Sequence, residues 1–218
     1  AGSCADSRTV SAPVRIVLVA GEASGDLLGS RLIEALRRRL PAAQFCGIGG
    51  PRMVAAGFES WFAQERLAVR GFVEVVRHLR ELLRIRAEVL RRARALPAAL
   101  FVGIDSPEFN LGLERRLKRA GLATAHLVSP QVWAWRRGRI RRMRDHVSHL
   151  LVLFPFEEDL YRHAGLGVTC IGHPLADEIP ETSDRSAARE QLRLPAHAPV
   201  VALLPGSRQS ELEMMAGP

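Results

Sequence analysis

Short apolar runs alternate with amphipathic stretches along most of the chain. VRIVLVA at 14–20 is wholly apolar apart from Arg15 and rich in β-branched residues, the pattern of a strand buried on both faces. AQFCGIG (43–49), ALFVGI (99–104), LATAHLV (122–128), HLLVLF (149–154) and VTCIG (168–172) predict further strands. Between them the period lengthens to that of a helix. In LLGSRLIEALRRRL, Leu28, Leu32, Ala35 and Leu36 share one face, with arginines opposite. RGFVEVVRHLRELLRIRAEVL (70–90) carries another stripe, Phe72, Val76, Leu79, Leu83 and Leu90, broadened by Val73, Val75 and Leu82. Strands alternating with helices predict an α/β fold: a parallel sheet covered by helices on both faces, with right-handed crossovers.

The pattern changes after residue 178. Pro180, Thr182, Ser183 and Asp184 mark a linker over 179–184, and a short helix (185–192) and a strand, PVVALL (199–204), open a second α/β unit. So few elements cannot bury a core. The expected organisation is a disordered tail (1–13), a first α/β domain (14–178) and the incomplete start of a second domain (185–218).

Composition narrows the partners. The chain has 218 residues and is 47% hydrophobic, sufficient for one large core. Its net charge is +8, carried almost wholly by arginine, since Lys118 is the only lysine. Guanidinium groups suit phosphates and carboxylates, so nucleic acid, an anionic membrane surface and phosphorylated small molecules all fit; a plain compositional bias towards Arg fits too. Cys4, Cys46 and Cys170 show no metal-site spacing and no even pairing, which argues against a disulfide framework or a zinc site and fits a reducing compartment. No apolar run approaches the ~20 residues of a membrane helix.

Ligands of open α/β sheets bind beyond the carboxyl ends of the strands, so the loops there hold the candidate chemistry. GEASGD (21–26) either lets backbone N–H groups approach an anion near Ser24 or is a tight turn capped by Ser24 or Asp26. In GIDSPEFN (103–110), Ser106 caps the next helix and frees Asp105 for the cleft, or Asp105 is itself the cap, with Glu108 closing a capping box. VSPQVWAWRRGRIRRMRD (128–145) sets Trp133 and Trp135 beside a run of arginines, either an anion grip or an amphipathic surface helix. LLPGSR (203–208) places Gly206, Ser207 and Arg208 after a strand, an anion pocket with a fixed positive charge. The apolar segment at 70–90, flanked by arginine, fits a membrane interface or a core-facing stripe with snorkelling arginines.

LVAGEASGD, GIGGPRM, GIDSPEFN, VSPQVWAWR, LFPFE, IGHPLAD and LLPGSR occur in the order found in the lipid-A-disaccharide synthase family, which the chain resembles from Val14 to Met215. The resemblance implies a GT-B fold, two Rossmann-like α/β domains facing each other across a cleft. It implies an inverting glycosyltransferase, with no metal and no cofactor, joining UDP-2,3-diacylglucosamine to 2,3-diacylglucosamine 1-phosphate (lipid X). The products are a β-1,6 disaccharide and UDP. The implied location is cytoplasmic and peripheral, on the inner face of the inner membrane, with a homodimer among the expected assemblies. Asp105 becomes the general base, Arg208 the group stabilising the departing diphosphate, and Ser24, Gly206 and Ser207 substrate or nucleotide contacts. Val73, Val75, Val76, Leu79, Leu82 and Leu83, with Met214, become membrane and acyl contacts. Family members continue well beyond the length of this chain, so no transferase activity is expected from these residues alone.

Two other classes compete. A different GT-B UDP-sugar enzyme, transferase or epimerase, would share the fold. A nucleic-acid binder would use the charge, but beyond Trp133 and Trp135 the arginines of 136–144 are not interleaved with aromatics; no nucleic-acid partner is expected.

Overall fold

The computed structural model describes residues 13–67, 72–130, 137–204, 212 and 215. The chain divides into two compact units, Ala1–Ala176 and Asp177–Pro218.

In the first unit, β1 (Arg15–Ala20) leads through α1 (Ala23–Arg39) to β2 (Gln44–Ile48), and α2 (Pro51–Ala55) to β3 (Glu59–Phe62). A 3-10 turn (Gln64–Arg66) precedes α3 (Phe72–Ala95) and β4 (Ala98–Ile104). Then come α4 (Pro107–Arg119), β5 (Ala123–Leu127), α5 (Arg137–His146), β6 (His149–Val152), α6 (Pro155–Arg162) and β7 (Gly167–Cys170); α7 (Pro174–Glu178) runs across the division between the units in sequence. The strands form one parallel sheet in the order β3-β2-β1-β4-β5-β6-β7. The α/β expectation holds.

Side-chain alternation divides the core between the two faces of the sheet. Ile16, Leu18 and Ala20 of β1 pack with Leu28 and Ile33 of α1, Met53 of α2, and Val102 and Ile104 of β4. Val17 and Val19 face the other way, against Ile85, Val89 and Ala93 of α3 and Phe109, Leu113 and Leu117 of α4. Ile140, Met143, Leu150, Val152 and Tyr161 form a third cluster over β6. A strand buried on both faces needs apolar residues at every position, which is why β1 reads as an unbroken run.

Two elements differ from the sequence reading. β3 was not expected: it is a four-residue edge strand, ESWF, half exposed and without an apolar run. It pairs with β2 in the register Cys46↔Glu59, Gly47↔Ser60 and Ile48↔Phe62. Gly47 has φ +137, and a Cβ there would overlap the Leu18 carbonyl oxygen, so only glycine fits. The expected strand at 199–204 does not form, and Val200, Val201, Leu203 and Leu204 are exposed. A strand takes its hydrogen bonds from a neighbour, and the described residues of this unit include none. The second unit does contain a helix, α8 (Arg185–Gln191), capped by Asp184, whose Oδ1 accepts Ser186 N–H at 2.9 Å and Ala187 N–H at 3.0 Å.

Candidate functional site at the sheet switch point

The strand order reverses between β1 and β4. β1 connects to β2 on one side through α1; β4 connects to β5 on the other through α4. The two helices cover opposite faces, and in open α/β sheets the carboxyl ends of the strands at such a reversal are where ligands bind. Gly21 follows β1 at this switch point, and Asp105-Ser106 follow β4. The loops are in close contact: a Cβ on Gly21 would lie 2.5 Å from Ser106 Oγ.

Asp105 ends its strand in an unusual conformation. Both Asp105 (φ 52) and Ser106 (φ 45) are left-handed. Each such non-glycine residue costs on the order of 1–3 kcal/mol, and strain of this kind concentrates at functional sites. Asp105 N–H donates to Leu127 O at 2.9 Å, extending the β4–β5 ladder by one residue. Its carboxylate has no hydrogen bond or ion pair among the described residues. The choice between caps is settled against both side chains: Ser106 occupies the N-cap position of α4 without a side-chain bond. Pro107 at the first helical position has no N–H to satisfy, and the Ser106 carbonyl accepts Phe109 N–H and Asn110 N–H, each at 3.0 Å.

Neighbouring loops are held by buried polar side chains. Asp26, 2% exposed, does not cap its own helix. Its Oδ1 accepts Gly50 N–H and Met53 N–H at 2.9 Å and its Oδ2 accepts Arg52 N–H at 3.0 Å, so it closes the N-terminus of α2. Gln64 Nε2 donates to Glu22 O at 2.6 Å and lies 3.3 Å from Ala20 O, fixing the loop after β1 from the side. Ser24 lies exposed in the first turn of α1. After β5, Ser129 Oγ donates to the buried Glu157 carboxylate, which also accepts Phe154 N–H at 3.2 Å. Tyr161 OH donates to Pro130 O at 3.3 Å, and burial pushes its phenol above the usual tyrosine range.

Several expected site residues cannot be placed against this switch point. Gly206, Ser207, Arg208 and Met214, and also Trp133 and Trp135, lie outside the described residues. Val73, Val75 and Val76 belong to α3, but their side chains lie outside the description. Leu82 is half-buried, while Leu79 and Leu83 are 45% and 50% exposed. Those two leucines lie across the helix from Ile85 and Val89, which face the core. Among the described residues no cluster of His, Cys, Asp and Glu could hold a metal ion, and no helix is long and apolar enough to cross a membrane.

Sequence reasoning missed Asn110, Glu114 and His126, all fully buried. Glu114 Oε1 and His126 Nδ1 are 2.7 Å apart. A signal existed: Asn110 and Glu114 share the face of α4 that carries Leu113 and Leu117, so they are polar residues inside an apolar stripe.

A family model described as lipid-A-disaccharide synthetase matches residues 16–218. The chain is 55% identical over 201 residues to the lipid-A-disaccharide synthase of Methylobacillus flagellatus, covering 92% of this chain and 53% of that protein. It is 54% identical over 204 residues to those of Burkholderia mallei strain SAVP1 and Burkholderia pseudomallei strain K96243, covering 93% of this chain and 53% of each. The chain therefore spans about half the length of the curated relatives it matches. Among solved structures, a UGT transferase from Siraitia grosvenorii in complex with UDP has a TM-score of 0.47 at 12% identity, covering 82% of this chain and 54% of that one. Medicago truncatula UGT71G1 complexed with UDP-glucose has a TM-score of 0.45 at 11% identity, covering 83% and 56%. With the family match running across nearly all of the sequence, the chain belongs to the lipid-A-disaccharide synthetase family.

Proposed function

We propose that the chain is the acceptor-side part of a GT-B glycosyltransferase that joins UDP-2,3-diacylglucosamine to lipid X. The observation that carries the reading is the Asp105 carboxylate: without a partner among the described residues, it stands on a strained loop at the switch point of the sheet. Asp105 accepts the proton of the acceptor 6-hydroxyl as that oxygen forms its bond to the donor anomeric carbon. The bond from that carbon to the UDP oxygen breaks, and its electron pair leaves with UDP. Attack opposite the leaving group inverts the centre. Proton transfer of this kind contributes about 10²–10⁴-fold. Arg208 stabilises the charge on the departing diphosphate, and Ser24, Gly206 and Ser207 contact substrate or nucleotide. No step in this scheme calls for a metal.

Both substrates carry acyl chains, so the enzyme works at a membrane surface, in this reading the inner face of the inner membrane. The exposed Leu79 and Leu83 on α3, beside Arg80 and Arg84, support that placement.

The test is turnover of both acylated substrates by the full-length protein. Asp105→Ala should lower kcat by at least about 100-fold with little change in KM. Near-normal kcat in that variant would sink the general-base role, and equal turnover of a soluble, unacylated acceptor would contradict the lipid substrate.

A further inference from the structure

Asn110 lies in the first turn of α4, 0% exposed, beneath the switch point. Its Nδ2 donates to Asp105 O at 2.8 Å and lies 3.2 Å from Val19 O and 3.4 Å from Ile104 O. Val19 belongs to β1, and Ile104 to β4. One amide nitrogen thus meets the ends of both strands flanking the switch point and the residue that carries the unpartnered carboxylate. Three carbonyl oxygens around one atom also fix the orientation of the amide, because an oxygen there would face only acceptors.

The helix bearing Asn110 is itself locked to the sheet. One turn on, Glu114 meets His126 of β5 at 2.7 Å with both side chains 0% exposed. The room for this comes from Gly103, where a Cβ would overlap Glu114 Oε1 and lie 2.9 Å from Asn110 Cβ. Burying this many polar groups is costly and leaves Asn110 Oδ1, Glu114 Oε2 and His126 Nε2 without partners among the described residues. An apolar set of the same volume would bury no polar group, but it could not grip the Asp105 carbonyl.

We propose that Asn110 is a positioning residue for Asp105. By holding the Asp105 carbonyl, it keeps the residue left-handed and so sets the direction of its carboxylate. Glu114, His126 and Gly103 fix the helix from which Asn110 reaches. The inference rests on the reading of Asp105 as the general base.

The experiment compares Asn110→Ala, Asp105→Ala and the double variant in the full-length enzyme. Misplacing a reacting group by about 1 Å can cost on the order of 100-fold. Asn110→Ala should lower kcat by about that factor, with KM for the acceptor within about twofold. In the Asp105→Ala background the same change should cost less than about threefold, because the group it positions is gone. An equal loss in both backgrounds, or a kcat within about threefold of normal in the single variant, would overturn the proposal. A crystal structure of Asn110→Ser gives a separate readout, available if the alanine variant fails to fold. Asp105 should leave the left-handed region, and retention of φ near its present value would overturn the proposal. That readout needs no activity, so it stands even if Asp105→Ala proves fully active and the base reading falls.

Discussion

The carboxylate of Asp26 on α1 accepts the backbone N–H of Met53 at 2.9 Å, closing the N-terminus of a helix to which Asp26 does not belong. The same buried group also takes Gly50 N–H and Arg52 N–H. Asp26→Ala would strand these donors in the interior. Urea unfolding should show a loss of about 2–4 kcal/mol. Asp26→Asn should fall between the two, since the amide keeps one oxygen but turns donors towards other donors. A loss under about 0.5 kcal/mol for the alanine variant would mean that solvent reaches the end of α2.

Two glycines in neighbouring elements should respond in opposite directions to alanine. Gly103→Ala forces a methyl into the space of Glu114 Oε1 and should destabilise the protein by about 1–3 kcal/mol or more. Gly112 lies within α4, where a Cβ would meet only the end of the Arg86 side chain at 3.5 Å. Gly112→Ala should therefore stabilise by about 0.5–1 kcal/mol, the helix-propensity difference. Thermal unfolding of both variants checks the pair.

Burial pushes the Cys46 thiol from 9.0 up to about 11, with Glu59 adding to the effect and Arg15 opposing it. The folded state therefore holds this proton more tightly than the unfolded state. The associated stability is fully present below pH 9 and is lost as the pH rises through 11. Iodoacetamide at pH 8 should spare Cys46 in the native protein while modifying the less buried Cys170. Mass spectrometry of the labelled peptides reads the difference, and equal labelling would show that β2 opens readily.

The two faces of α3 should separate stability from surface binding. Ile85 is buried in the core, so Ile85→Ala should cost about 2–5 kcal/mol. Leu79 and Leu83 are exposed, and changing both to Ser should leave unfolding within about 0.5 kcal/mol. Co-sedimentation with anionic phospholipid vesicles should weaken in the double-serine variant alone. Unchanged sedimentation would remove these leucines from the membrane contact.

Most of the sheet was legible because its central strands are buried on both faces, so each announces itself as an apolar run: 14–20 became β1 and 99–104 nearly all of β4. β3 was not legible, since an edge strand needs an apolar pattern only on the side it buries. The converse error was 199–204, where the run is apolar but hydrogen-bond partners are lacking among the described residues. A pattern can specify burial; pairing belongs to two segments at once.

Asp105 shows the same division within the site. The order of residues alone placed a carboxylate after a strand and before a helix, and the ordered motifs of the chain carried the family. The sequence also left two caps for α4 in balance, and the structure uses neither side chain. What decided the matter is tertiary: Leu127 O on the adjoining strand accepts the Asp105 N–H, while Asn110 Nδ2, which also meets Val19 O of β1, donates to the Asp105 carbonyl. Local spacing ranks the conformations a residue can adopt by itself. A left-handed aspartate lies high in that ranking and persists only where hydrogen bonds from distant elements converge to hold it.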